Sequence, residues 1–154
     1  MQLTTTLLAC VMAASSALAA PAAAAEVSMM AAKPQWTIVE TKRVCDKTDS
    51  KCTWTFGINT HQDKVPVTAC KHVVKGDKDV KASRVNGSPP SNCGDFTITS
   101  GWSGQFGEGK GFTTLSVVNN KENLIVWAGY TDNQVKEGKV VKPDQSYAPV
   151  KIEN

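Results

Sequence analysis

Residues 93–118 read CGDFTITSGWSGQFGEGKGFTTLSVV. Two runs of β-type residues, Phe96 to Ser100 and Phe112 to Val118, flank a segment in which Gly101, Gly104, Gly107, Gly109 and Gly111 recur at almost every second position. Glycines at that density suit tight reversals and bulges and break any helix. The stretch predicts a β-hairpin with a long glycine-rich crown.

The rest of the chain follows the same grammar on either side. Upstream, Cys52, Trp54, Phe56 and Ile58 alternate with polar or small residues, the pattern of a half-buried strand with its aromatic face inward. Val67 to Lys75 predicts another strand, with Cys70, His72 and Val74 on one face. Trp36 to Val44 alternates imperfectly, because Ile38 and Val39 are adjacent and Glu40 and Lys42 share a face with Ile38. That fits a bulged or edge strand. Residues 76–92, GDKDVKASRVNGSPPSN, lack an apolar period and predict a long surface loop tethered at its ends by Cys70 and Cys93. Downstream, Leu124 to Trp127 reads as a strand covered on both faces, with Trp127 and Trp54 in the core. Thr131-Asp132 is placed to cap a short helical turn stopped by Gly138. Lys139 to Lys142 and Tyr147 to Ile152 read as closing strands split by Pro143-Asp144. About eight short strands with turn signals between them predict an all-β antiparallel domain. A single closed β-barrel is the expected architecture, because closure removes exposed edges; a two-sheet β-sandwich is the alternative.

The first residues belong to a different category. An apolar run through Leu7 to Met12 followed by Ala17-Leu18-Ala19 fits a secretory signal peptide over residues 1–19, although its first positions carry no Lys or Arg. Thr4 to Thr6, Ser15 and Ser16 dilute it too far for a membrane span. The Ala-rich segment 20–34 reads as a disordered leader, and residues 35–154 as the folded β domain. Cys10 falls in the signal peptide. The other four cysteines form an even set in a secreted chain, which favours disulfides. Four cysteines allow three connectivities. Cys45 with Cys52 is the favoured pairing, on adjacent strands around DKTDSK, and Cys70 with Cys93 closes the long loop. The spacings include no C-x2-C pair, so zinc is not expected.

Seventeen Lys and Arg against fourteen Asp and Glu leave a net charge of +3. The densest run, Lys71 to Lys81, mixes both signs, so it gives no support to a nucleic-acid binder. Gly104 to Lys110 matches the first seven positions of a phosphate-binding loop, but Gly111 stands where a hydroxyl is needed and a strand follows where a helix is needed. His61 and His72 have no convincing catalytic neighbourhood; with Arg43 and Arg84 as the available arginines, His72 with Glu40 and Arg43 is a permitted ribonuclease-like set that nothing in the sequence singles out. Pairs drawn from Glu40, Asp95, Glu108, Glu122 and Asp132 are permissible for glycoside cleavage, with no spacing that selects one. Trp102 and Phe106, in the crown, either plug one end of the fold or form a candidate binding surface for a sugar or partner. Asn86-Gly87-Ser88 is a candidate glycosylation triplet, with Pro89 directly after it.

CTWTFGI at 52–58, the stretch at 93–118, LIVWAGYTDNQV at 124–135 and PDQSYAP at 143–149 resemble the small secreted elicitors of filamentous plant-associated fungi, the hypersensitive-response-inducing group known from the rice-blast fungus. The resemblance spans nearly all of residues 35–149. It implies a secreted β-barrel-like monomer in the plant apoplast that contributes to virulence and is perceived by plant cells as an effector or elicitor of plant defence. It brings no established enzymatic activity, cofactor or catalytic residue. The partner it implies is an apoplastic or cell-surface plant component, protein or glycan. The contrasting expectation is a secreted carbohydrate-active or RNA-cleaving enzyme.

Overall fold

The computed structural model describes residues 34–153; the expected signal peptide and nearly all of the expected leader lie outside them. Nine strands form: β1 (Trp36–Cys45), β2 (Lys51–Asn59), β3 (Thr68–Lys75), β4 (Ser91–Cys93), β5 (Phe96–Ser103), β6 (Phe112–Asn119), β7 (Leu124–Thr131), β8 (Gln145–Tyr147) and β9 (Val150–Lys151). Short helical turns at Ala82–Arg84 and Lys136–Gly138 complete the described elements. No helix among the described residues is long and apolar enough to cross a membrane.

The strands make two antiparallel sheets, ordered β3-β2-β1-β8 and β4-β5-β6-β7-β9. The all-β class is as expected, but the sheets are not closed into one barrel, and the sandwich alternative fits. Consecutive hairpins would have closed a barrel had β3 paired with the strand that follows. Instead the chain leaves β3 through the 76–90 loop and starts a second sheet at β4. The glycine-rich crown joins β5 to β6, which pair in unbroken register from Phe96 with Asn119 to Ser103 with Phe112.

The bulge in β1 explains its irregular sequence. Register with β2 shifts between Val39 and Lys42, and Glu40 takes a positive φ of 52°. Its N–H is taken by Asp144 Oδ1 at 2.9 Å. One extra residue reverses the parity of the side chains. Trp36 and Ile38 are therefore buried before the bulge, and Thr41 and Arg43 after it.

The two inner faces meet through few, large contacts. Trp36 meets Phe96 edge-on at 5.6 Å, and Trp54 lies 6.0 Å from Tyr130. Val135 and Val141 add apolar bulk from the C-terminal segment. Both expected disulfides form. Cys45–Cys52 joins directly paired residues of β1 and β2, whereas Cys70–Cys93 ties β3 of one sheet to β4 of the other. Two expectations fail. Trp127 is 51% exposed, because β7 alternates and only Leu124, Val126, Ala128 and Tyr130 face the core. Lys139 to Lys142 is not a strand; its core contribution is the single side chain of Val141.

Candidate functional site: the groove beneath the glycine crown

The crown bends over one end of the sandwich and walls a groove of about 840 Å³. Its opposite wall comes from the end of β1, the β1–β2 turn and the segment after β7. The crown itself is two tight reversals, with Gly107 N–H bonded to Gly104 O and Lys110 N–H to Gly107 O. Gly107 and Gly109 sit at φ of 97° and 71°, where a side chain is strained.

Trp102, near the end of β5, is the groove's central ring. Its Nε1 donates to Asp132 Oδ2 at 3.0 Å. The other oxygen of that carboxylate accepts from Arg43 Nη1, also at 3.0 Å. Arg43 is buried and lies 5.4 Å from the ring centre of Trp54. A residue from each sheet thus converges on Asp132, and both of its oxygens are occupied. Gly111 makes room for this arrangement: a methyl there would lie 2.7 Å from Trp102 Nε1 and closer still to the Asp132 carboxylate.

Arg84 covers Trp102, its guanidinium carbon 5.6 Å from the ring centre. Its backbone is fixed from both sides. Asp49, in the β1–β2 turn, accepts from Ser83 N–H at 2.9 Å and from the Ser83 hydroxyl, and its carbonyl takes Ala82 N–H. On the other side, Val85 O accepts from Trp102 N–H at 3.0 Å. Among the described residues no carboxylate pairs with Arg84.

The sequence-derived candidates divide. Trp102 lines the groove, but Phe106 does not: it is 62% exposed and lies 5.7 Å from Phe112. Arg43, Arg84 and Asp132 are the groove residues the sequence did not single out as a set, since they come from three distant segments. The position of Arg43 was hidden by the β1 bulge, which turns an apparently outward residue inward.

The histidines stand apart from the groove. His61 is exposed at the far end of β1, hydrogen-bonded to Thr37 Oγ1 at 2.7 Å. His72 is fully buried, its Nδ1 bonded with Ser91 Oγ at 2.8 Å and its Nε2 with Ser88 Oγ at 2.9 Å and Ser100 Oγ at 3.0 Å. Burial pushes its imidazole below the ordinary value. This network ties β3 to β4, β5 and the 76–90 loop. It explains Ser88, whose hydroxyl also accepts from Ser100 N–H; Asn86, first residue of the same triplet, is exposed. The set of His72, Glu40 and Arg43 makes no mutual hydrogen bond or ion pair among the described residues: His72 is bonded to serine hydroxyls and Arg43 to Asp132. The one grouping of metal-ligand atom types among the described residues is Cys45, Asp49 and Cys52. Its two sulfurs form a disulfide and offer no thiolate.

A model of the family described as Effector TSP1 matches residues 37–153, which is all of the sandwich but the first residue of β1. A protein named Effector TSP1 from the fungus Hypocrea virens is 53% identical over 152 residues, covering 99% of this chain and 99% of its own length. The match takes in the crown, all four disulfide cysteines' segments and the groove alike. The chain belongs to the Effector TSP1 family of fungal effectors.

Proposed function

We propose that the chain is a secreted effector that modulates plant immune responses by binding an apoplastic or cell-surface component of the host, and that it does so through the groove beneath the crown. In this reading residues 1–19 direct export, residues 20–34 are a leader, and the folded domain acts outside the fungal cell as a monomer. The observation that carries the reading is the pairing of Arg43, Trp102 and Asp132 beside Arg84, which pairs with no carboxylate among the described residues. Both carboxylate oxygens of Asp132 are occupied by fixed donors. That arrangement supports holding a ligand in place better than moving a proton to one.

The test compares leaf responses to purified wild-type protein, an Arg84→Ala variant and a His61→Ala/His72→Gln variant, with circular dichroism verifying each fold. A response that survives the histidine changes and falls with Arg84→Ala supports recognition at the groove. A response lost with the histidines in a folded protein, together with release of product from RNA or wall glycans, would favour the enzymatic alternative.

A further inference from the structure

Building on the reading of the groove as the recognition site, we infer that its ligand is an acidic oligosaccharide, with a ring carboxylate held by Arg84 and adjoining sugar rings lying along Trp102 and the crown. The inference comes from which polar groups are already spent. Arg43 and Asp132 neutralise one another, and Asp132 also holds Trp102. Asp49 is occupied by Ser83. Arg84 is the lining guanidinium whose donors meet no side-chain acceptor among the described residues, and its place over the indole pre-orders it. A planar guanidinium is the side chain best suited to a planar carboxylate, which it can take with two parallel hydrogen bonds.

The remainder of the lining suits a polyhydroxyl ligand. A methyl added at Gly107 or Gly109 would meet nothing within 4 Å, so the crown presents open backbone to hydroxyl groups on that side. Glu108 and Glu137 are exposed on the lining, Glu137 in a loose surface pair with Lys136, and both can accept from hydroxyls. Lys136, the other exposed cation of the lining, lies 4.0 Å from Glu137, so the Arg84 guanidinium set among hydroxyl-binding groups matches a sugar acid, whose carboxylate and hydroxyls use both. An acidic peptide is the competing occupant, and it lacks the ring hydroxyls that would use the crown.

The experiment titrates the purified protein with short oligogalacturonates, neutral oligosaccharides of equal length and an oligoglutamate, following the Trp102 indole N–H resonance and calorimetric heat. The oligouronate is expected to bind and to shift that resonance. Arg84→Ala should weaken binding by about ten-fold or more, the scale of a charge-assisted hydrogen bond. Arg84→Lys should restore only part of it, because the charge returns without the fork. Raising salt from about 50 to about 300 mM should also weaken the complex. Equal binding of the neutral sugars, equal binding of oligoglutamate, or uronate binding unchanged in Arg84→Ala would overturn the inference. So would no binding of the uronate at about millimolar concentration. If the uronate fails while Arg84→Ala still abolishes the leaf response, the ligand assignment falls and the groove reading stands. If Arg84→Ala leaves the leaf response intact, the groove reading falls as well.

Discussion

Trp102 is held by neighbours that leave little freedom: Arg84 over the ring, Asp132 on its N–H, and Gly104 and Gly111 close against its edge. Gly111 abuts both the indole nitrogen and the Asp132 carboxylate, so Gly111→Ala is expected to push the indole away from Asp132 and destabilise the fold by about 1–3 kcal/mol. A shift in the denaturant midpoint, with loss of the Trp102 N–H resonance position, measures this. A second residue-level prediction concerns His72. Burial holds its folded-state pKa below the ordinary 6.5. Its contribution is therefore fully present above the unfolded value, and it is lost as pH falls, because the unfolded chain takes up a proton that the folded chain resists. Urea midpoints should decline from about pH 7.5 to about pH 5, and the decline should be shallower in His72→Gln. Asp46, Asp77 and Asp144 are also lowered, through hydrogen bonds from backbone and side chains; their effect belongs to the window below about pH 4 and leaves the histidine's window separate.

At the scale of elements, β1 carries the feature on which the groove depends. The bulge at Glu40 reverses parity so that Arg43 turns inward and reaches Asp132. Glu40 occupies left-handed backbone, which costs a non-glycine residue about 1 kcal/mol, so Glu40→Gly is expected to be neutral or slightly stabilising. Asp144→Ala removes the acceptor from the Glu40 N–H and should destabilise by about 1 kcal/mol. Thermal denaturation of the two variants tests both signs. These elements also show how much was legible in advance. The hairpin of β5 and β6, the aromatic face of β2 and the shared face of Cys70, His72 and Val74 follow from alternation alone, which is a local property. The apolar run of β7 misled, because Ile125 and Trp127 lie on its outer face in spite of their chemistry. The closing segment misled because β-branched residues near Pro143 look like a strand while Val141 merely inserts one side chain. The groove was legible only through Trp102. Arg43, Arg84 and Asp132 meet by packing across two sheets, and no local spacing encodes that.

On the scale of the whole molecule, two sheets that share no continuous ladder must be joined by side chains. The Cys70–Cys93 bridge, the His72–serine network and the Arg43–Asp132 pair are those joints, and the last of them is also the floor of the groove. Replacing Cys70 and Cys93 by serine should cost about 3 kcal/mol, since the bond closes a long loop. Replacing Cys45 and Cys52 should cost less, because β1 and β2 already close that short hairpin. Equilibrium unfolding of the two double variants gives the order. The groove therefore joins stability to recognition, and Arg84 is the residue that separates them: it is exposed, it pairs with no carboxylate among the described residues, and its loss leaves the joints intact. The most direct measurement is the dose–response of plant leaves to wild-type and Arg84→Ala protein of equal thermal stability. Recognition at the groove predicts a shift of the Arg84→Ala curve to about ten-fold higher dose or more. Superimposable curves would contradict it.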